Sequence, residues 1–324
     1  MKQYRPVNLS DASTFPIEQR PTKVNKKDLV QLCEPQPTLA TFLDSLPHVL
    51  KANELRGAVD AIVEAKHREK PVVIGMGGHV IKCGLAPLLI CLMERGIIAG
   101  IAMNGGASIH DFELATIGRT SEDVESSLEE GRFGMVRETG VAMNQAIKSG
   151  AENQIGMGEA LGRTLIESNA PHLHHSVLAA GVRLGVPVMV HVAVGGDTIH
   201  SHPDADGAAI GATSLTDFRL LSAILGDFND GGVYLNIGSA VVMPEVFLKA
   251  LNLARNLADH PIANFTTINM DMQEHYRTNV NVLRRPTSLG GNAYSLTGHH
   301  EIMAPLVFNL VLGRLSDGVC GVVE

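Results

Sequence analysis

The chain alternates apolar runs with helix-like segments, and four of the apolar runs end in a turn of small residues. These runs are continuous in Val, Ile and Met instead of alternating with polar residues, which is typical of parallel strands covered by helices on both faces. In chain order they are Pro71–Met76 before Gly77-Gly78-His79, Ile97–Met103 before Asn104-Gly105-Gly106-Ala107, Val186–Val194 before Gly195-Gly196-Asp197, and Val233–Ile237 before Gly238-Ser239-Ala240. We therefore expect four parallel neighbours in one sheet.

The four small-residue turns predict one shared cleft. Glycine at the carboxyl end of a strand lets a ligand approach the backbone, because no Cβ atom stands in the way. In open α/β sheets this edge binds ligands, and backbone N–H groups at helix N-termini suit a nucleotide or another anion. For any single turn, a tight strand–helix connection without a ligand remains an equal alternative.

The rest of the chain continues the alternation of strands and helices. A fifth strand is predicted over 264–270, and residues 271–288 are polar and predicted to be irregular. Helical patterns cover 55–69, 81–95, 135–147, 158–167, 175–184, 207–225, 244–257 and 301–315. This alternation predicts an α/β fold: a doubly wound (Rossmann-like), mostly parallel sheet with helices on both faces. Residues 1–50 are predicted to form an irregular, Pro-rich N-terminal arm with one helix near 39–46. Residues 51–324 are expected to form a single domain.

Composition and charge restrict the classes of partner. A net charge of −8 argues against a nucleic-acid or anionic-membrane surface. No apolar stretch of about 18 residues lacks charge, so no membrane span is expected. Four scattered cysteines without a C-x-x-C pair favour a reducing, cytoplasmic compartment over a disulfide framework.

A polar loop after the third apolar run contains candidate chemistry. Asp197, His200, His202 and Asp204 lie close together in sequence. Alternate residues of an extended segment project the same way, so His-x-His with a carboxylate can chelate a divalent metal. The same groups can instead act as acids and bases on a substrate. Asp197, His200 and His202 are therefore catalytic candidates, with His200, His202 and Asp204 as the alternative metal ligands.

His110 and Asp111 follow the second glycine turn, where a helix is expected to start. A carboxylate beside an imidazole can fix the tautomer of a general acid or base. However, adjacent side chains on a helix diverge, and the helix dipole also favours a carboxylate near the N-terminus. Both the catalytic and the structural interpretation of this pair stay open.

The order and spacing of these segments, over about residues 65 to 313, resemble deoxyhypusine synthase and its relatives. The resembling segments are 75–84 (GMGGHVIKCG), 103–111 (MNGGASIHD), 236–242 (NIGSAVV), 253–271 (LARNLADHPIANFTTINMD) and 295–307. The resemblance implies a doubly wound sheet that binds NAD over its turns, a small-molecule substrate and a homotetramer. The cofactor contacts that it implies are Gly77, Gly78, His79, Asn104, Gly105, Gly106, Gly238, Ser239 and His299.

The chain departs from this family at the catalytic lysine. The family forms an imine on a lysine that should fall between Asp271 and Ser295, and this stretch holds neither Lys nor Trp. An imine needs an amine nucleophile, and the guanidinium groups of Arg277, Arg284 and Arg285 cannot replace it. The resemblance therefore predicts a transferase- or oxidoreductase-like enzyme of altered chemistry, not a true deoxyhypusine synthase. The alternatives are a metal-assisted hydrolase that uses the 197–206 loop and a non-catalytic ligand-binding relative.

Overall fold

The computed structural model describes residues 6, 9–21, 23, 25–31 and 38–315, and in this part of the chain six parallel strands form one sheet. The strand order is β3-β2-β1-β4-β5-β6. The strands are β1 Val72–Met76, β2 Gly100–Asn104, β3 Val188–His191, β4 Val233–Ile237, β5 Phe265–Asp271 and β6 Gly291–Thr297. This is the order of the dinucleotide-binding doubly wound sheet, and it reverses between β1 and β4.

Helices connect the strands. Their bounds are α1 Leu39–Ser45, α2 Leu50–His67, α3 Gly78–Lys82, α4 Ala86–Glu94, α5 Gly105–Ile117, α6 Val124–Glu129, α7 Arg137–Glu152, α8 Met157–Glu167, α9 Val177–Leu184, α10 Gly207–Gly226, α11 Val242–Leu257, α12 Tyr276–Thr278 and α13 His300–Leu315. Among the described helices, α10 alone is long and apolar enough to cross a membrane by length and composition. It contacts α7, α8, α11 and β3 as a core helix does.

Both faces of the sheet are buried, which explains why the strand sequences do not alternate. Along β1, Ile74 belongs to the apolar cluster with α2, α5 and α13, whereas its neighbour Val73 belongs to the cluster with α10 and α11. Every residue of β1 and β4 is buried. The predicted doubly wound α/β fold with helices on both faces is confirmed.

The four predicted strands are consecutive neighbours in the sheet, as expected. The predicted end of the third strand at Val194 is wrong, because β3 ends at His191 and the chain leaves the sheet through Gly195, whose φ is +84°. The predicted helix over 81–95 is also wrong. It is divided into α3 and α4, since Gly84 has a φ of +76° and Pro87 lies in the first turn of α4.

Two further expectations need correction or fall outside the described residues. The segment 271–288 is not irregular: α12 continues as a π-helical stretch, Asn279–Arg284, and then a 3-10 turn, Pro286–Leu289. The N-terminal arm is described only in part, as short exposed 3-10 turns followed by α1, which contacts α13. Cys33 and Cys320 lie outside the described residues, whereas Cys83 and Cys91 are half-buried.

Candidate functional site

The floor of the candidate site lies between β1 and β4, where the strand order reverses. The backbone N–H of Gly77 donates to Ile237 O at 3.0 Å, and that of Gly238 donates to Met270 O at 3.0 Å. A Cβ atom on Gly77 would lie 2.1 Å from Gly238 O, and Gly238 itself has a φ of +60°. The two turns are therefore in direct backbone contact, and neither has room for a side chain.

The turn after β2 lies beside this floor. Asn104 caps α5 by accepting a hydrogen bond from the Ala107 N–H at 2.9 Å. A Cβ atom on Gly78 would be 3.2 Å from Gly106 C and 3.2 Å from His110 Cδ2. The N-terminus of α5 and the start of α3 thus lie side by side, so the first, second and fourth turns share one edge of the sheet.

Two buried asparagines hold the turn after β4 in place. Asn236 and Asn269 are register partners on β4 and β5. Asn236 Nδ2 donates to Asn269 Oδ1 at 2.8 Å and to Ser239 O at 2.9 Å. Since both amides are buried, these bonds fix the backbone of Ser239 relative to the sheet.

A chain of imidazoles and carboxylates lies on the same floor. His79 Nδ1 is 2.9 Å from His300 Nδ1, and the two rings meet edge to face. His300 Nε2 is 3.8 Å from Asp271 Oδ1, and Asp271 Oδ2 is 4.0 Å from His275 Nε2. Burial lowers the pKa of His300, against the opposing effect of the Asp271 carboxylate. Cys83, the residue that follows the end of α3, has its Sγ atom 3.6 Å from His79 Nε2.

A cavity of about 260 Å³ opens beside this floor, between α5, the segment 121–140 and the loop after β3. Its polar lining residues are Lys82, His110, Glu113, Ser121, Glu122, Thr139, Asp197 and Thr198. With the glycine turns on one side and ionisable groups around it, this space has the form of a small-molecule site.

Hydrogen bonds within the cavity wall fix the tautomer of His110. Thr120 Oγ1 donates to Glu113 Oε2 at 2.6 Å and lies 2.7 Å from His110 Nδ1. A hydroxyl group has a single proton, so His110 Nδ1–H must donate to Thr120, which leaves Nε2 as a proton acceptor. Burial, and secondly the Lys82 ammonium, lower the pKa of His110. The imidazole is therefore kept neutral.

Asp197 forms the opposite wall of the cavity. Burial raises the pKa of its carboxyl to about 6, although backbone N–H groups of Ala193 and Gly106 act in the other direction. Its Oδ2 atom is buried without a hydrogen-bond partner. A carboxyl group that exchanges its proton near neutral pH and has a free oxygen is suited to proton transfer.

The structure separates the two histidines of the polar loop. Thr198–Ser201 form a 3-10 helix, so the expectation of an extended His-x-His segment is wrong. His200 Nδ1 accepts from the Gly195 N–H at 3.2 Å, whereas His202 packs on Gly140 with Nδ1 3.5 Å from Asp204 Oδ2. In the described part of the chain no group of three or more His, Cys, Asp or Glu residues is arranged to hold a metal ion.

Asp111 does not contribute to the cavity lining. Its carboxylate is fully buried and accepts hydrogen bonds from Ser176 Oγ at 2.6 Å, Val177 N at 2.7 Å and Leu178 N at 3.2 Å. These are groups at the N-terminus of α9, which Asp111 therefore anchors to α5. Moreover, α5 starts at Gly105, so His110 and Asp111 lie in its second turn, not at a helix start as expected.

His299 is displaced from the floor by its neighbour. Its side chain is 67% exposed and lies 3.9 Å from Glu301, whereas the next residue, His300, is 2% exposed and lies against Gly238. Sequence reasoning missed the contact of His300 with His79 and the roles of Thr120 and Glu113. For the contact of His300 with His79, the only signals in the sequence were the paired histidines at 299–300 and the His79–Cys83 spacing of one helical turn.

Comparisons with known proteins support the fold. No family model and no curated protein matches the chain. The structure of AgrE in ternary complex with ornithine and NAD+ matches with a TM-score of 0.50 and 11% identity, over 83% of this chain and 35% of AgrE. The apo structure of ArgZ, a cyanobacterial arginine dihydrolase, matches with a TM-score of 0.50 and 14% identity, over 85% of this chain and 34% of ArgZ.

A candidate deoxyhypusine synthase from Entamoeba histolytica gives a TM-score of 0.49 and 11% identity, over 86% of this chain and 94% of that one. The present chain spans about a third of the AgrE and ArgZ chains. At identities this low, the AgrE and ArgZ matches show the fold alone: the chain shares their α/β architecture.

Proposed function

We propose that the protein is an NAD-dependent enzyme that binds the dinucleotide over the turns after β1, β2 and β4 and a small substrate in the adjacent cavity. The observation that carries this proposal is the contact between the Gly77 and Gly238 turns. Their backbones meet where the strand order reverses, at the position where doubly wound sheets bind nucleotides. AgrE, a neighbour in fold, has been solved with NAD+ bound.

The residues that would hold the dinucleotide are Gly77, Gly78, Gly105, Gly106, Gly238 and Ser239, with His79 and Asn104 beside them. Close backbone approach at Gly77 and Gly78 fits a pyrophosphate, whereas the Asp197 carboxylate already occupies the space beside Gly105 at the N-terminus of α5. The end of β2, where an acidic side chain holds the ribose in the standard fold, carries Asn104, which caps α5 instead. The fit therefore depends on the backbone turns and not on an acidic ribose contact.

NAD, when bound, supplies a hydride acceptor or donor. In the oxidative direction His110 Nε2 accepts the proton that an O–H or N–H group of the substrate loses, and in the reductive direction it returns that proton. Its neutral state and fixed tautomer prepare it for this role. Asp197, on the opposite wall, provides a second group that exchanges a proton near neutral pH.

The loop histidines His200 and His202 take a secondary part in this proposal. His200 Nε2 is buried without a partner, and burial lowers the pKa of His200. The Gly195 N–H bond orients the ring on the loop that carries Asp197. We assign these residues to holding the cavity wall, with His110 and Asp197 as the groups that face the substrate.

Calorimetric titration with NAD+ tests the proposal. Gly78→Ala places a methyl group against Gly106 and His110 at 3.2 Å, and we expect it to weaken NAD+ binding at least tenfold, about 1.4 kcal/mol. Gly207→Ala, where a Cβ atom meets nothing within 4 Å, is the matched control. No heat of binding at millimolar NAD+, or equal affinity in both variants, would refute the proposal. Tight binding without turnover of any amine or alcohol would support the non-catalytic relative instead.

The assembly that we propose is a cytoplasmic homotetramer, as the family resemblance implies. The chain mass is 34.5 kDa, so light scattering should give four times this value. A monomer mass at micromolar concentration would contradict it.

A further inference from the structure

We propose that the protein has a second binding site, for a small apolar amine, beside the edge strand β3. The site is a cavity of about 290 Å³ between β3 and the helices α8, α9 and α10. It lies at the amino end of β3, whereas the cleft lies at the carboxyl ends of the strands. The two cavities share no lining residue in the described part of the chain, so this site is separate from the cleft.

Most of the wall of this cavity is aliphatic. The aliphatic lining residues are Leu178, Val182, Val186, Pro187, Val188 and Leu220. Leu220 is 39% exposed, so it lies where the cavity opens to solvent. Such a wall favours an apolar ligand, because binding removes apolar surface from water on both partners.

A buried carboxyl group, that of Asp217 on α10, borders this apolar space. The residue is 1% exposed, and its Oδ2 atom accepts from the Gly158 N–H at 3.0 Å and the Val190 N–H at 2.7 Å. Its Oδ1 atom lies beside Gly156, where a Cβ atom would be 1.8 Å away. Gly156 itself lines the cavity, so the lack of a side chain there leaves Oδ1 open toward the ligand space.

Asp111 shows how a purely structural carboxylate is arranged in the same protein. It accepts from the Val177 N–H with Oδ1, and from Ser176 Oγ and the Leu178 N–H with Oδ2. Asp217 instead receives the bonds from α8 and β3 at one oxygen. Anchoring of α8 to β3 therefore explains Oδ2 of Asp217, whereas Oδ1 is placed for a further partner.

The charge balance of the cavity selects a cation as that partner. Its charged lining residues are Glu159, Arg163 and Asp217, and Arg163 is already paired with Glu159. Asp217 thus has no ion-pair partner among the described residues. Burial raises the pKa of Asp217 to about 7, although backbone N–H groups act in the other direction. A buried carboxylate gains from a cationic partner. An ammonium group on an apolar body supplies the cation and also fills the aliphatic space.

Calorimetric titration of the full chain with benzylamine tests the site without NAD. Benzyl alcohol and benzoate are matched ligands of similar shape, one uncharged and the other anionic. We expect benzylamine to bind with a dissociation constant of about 1 mM or below, and at least about tenfold more tightly than either matched ligand. The affinity should rise as the pH is raised through about 7, since an ionised carboxyl attracts the ammonium group.

Two variants locate the bound amine. In Asp217→Asn the amide oxygen can accept the two backbone bonds in place of Oδ2, and the amide NH₂ group then faces the cavity. We expect this variant to lose at least about tenfold in benzylamine affinity and to lose the pH dependence. Leu220→Trp should obstruct the opening and weaken binding. Leu215→Trp is its matched control, because Leu215 is an exposed leucine of α10 outside the cavity lining.

No binding of benzylamine, or equal affinity for benzyl alcohol, would overturn the proposal, since the cavity would then not recognise an ammonium group. Tighter binding of benzoate would overturn it too and would make Arg163 the anchor for an anion. If Asp217→Asn fails to fold, the tryptophan pair decides: equal affinities in Leu220→Trp and Leu215→Trp would place the amine elsewhere. A failure to bind NAD+ leaves this proposal unaffected, because the two sites share no residue.

Discussion

The carboxylate of Asp197 fills the space beside Gly105, where a Cβ atom on the glycine would lie 2.1 Å from Asp197 Oδ2. This contact joins the loop after β3 to the turn after β2, and it closes one side of the cavity. The carboxylate also accepts from the backbone of Gly106, at the N-terminus of α5, where the helix dipole favours negative charge.

Gly105→Ala should destabilise the protein because Asp197 must leave its hydrogen bonds. We expect a loss of about 1–3 kcal/mol in the free energy of unfolding. Gly106→Ala is the matched control, since its Cβ atom would meet nothing closer than Asn104 Oδ1 at 3.7 Å. Urea denaturation of both variants, and of Gly105→Ala combined with Asp197→Ala, forms a double-mutant cycle. Additive losses would show that the contact does not couple the two loops.

The anchoring of α9 by Asp111 predicts a large stability loss on its removal. Asp111→Ala leaves three buried donors without an acceptor, so the free energy of unfolding should fall by about 2–4 kcal/mol. Asp206→Ala removes an exposed cap of α10 and should cost only about 1 kcal/mol. Thermal and urea unfolding measure both. Similar losses in the two variants would speak against this structural role for Asp111.

The hydroxyl bridge to His110 predicts a change of tautomer in Thr120→Val. Without the hydroxyl group, His110 Nδ1–H loses its acceptor, and Nε2–H becomes accessible as the alternative tautomer. Thr120→Ser keeps the hydroxyl and should retain the wild-type tautomer. The imidazole ¹⁵N chemical shifts of His110 report the difference directly. If Thr120→Val kept a pure Nδ1–H tautomer, the bridge would not be what orients the ring.

Burial of His191 makes stability dependent on pH. It lies at the carboxyl end of β3, and burial lowers its pKa to about 4, whereas an unfolded histidine titrates near 6.5. Between these values the unfolded chain binds the extra proton, so stability falls as the pH is lowered from about 6.5 to 4. His191→Phe should remove on the order of 3 kcal/mol of this dependence.

The His191 comparison must be made as a difference between variant and wild type. Asp111, Asp197 and Asp217 have pKa values raised by burial, to about 6, 6 and 7. These carboxyl groups therefore act with the opposite sign: the stability that they contribute to the folded protein is lost as the pH rises through these values. Parallel curves of unfolding free energy against pH for wild type and His191→Phe would contradict the prediction.

The sheet and its cleft were predictable because they depend on local patterns. Buried parallel strands have continuous apolar sequences. Glycine occurs at the strand ends where two backbone segments come into contact, as at Gly77 and Gly238. Strand ends were less accurate where the chain stays apolar after leaving the sheet, as at Val194. The 3-10 turn that separates His200 from His202 depends on packing of Ile199 in the core, which no local pattern shows.

The site itself was predictable only in part, because its contacts join distant segments. His110 and Asp197 were candidates by residue type and position, but the partner of His110 is Thr120 with Glu113 behind it, not the adjacent Asp111. Likewise His300 reaches His79 across 221 positions. Such pairs follow from the order of strands in the sheet, and a single sequence does not fix that order.

The absence of a lysine between Asp271 and Ser295 predicts that the protein forms no imine with a butylamine donor. The structure nevertheless places one lysine, Lys82, in the cavity wall. Its side chain is exposed, so it lacks the desolvation that makes lysines nucleophilic. Lys249 forms an exposed ion pair with Glu245 on α11. Neither is placed as an imine-forming residue.

Incubation with spermidine, NAD+ and borohydride, followed by intact mass measurement, tests this prediction. We expect no mass gain of a reduced aminobutyl group. Lys82→Arg and Lys249→Arg keep the positive charge and serve as matched variants, because a guanidinium forms no imine under these conditions. An adduct that disappears only in Lys82→Arg would give the cavity a nucleophile on α3, and the chemistry proposed for His110 would then have to be assigned to that amine instead.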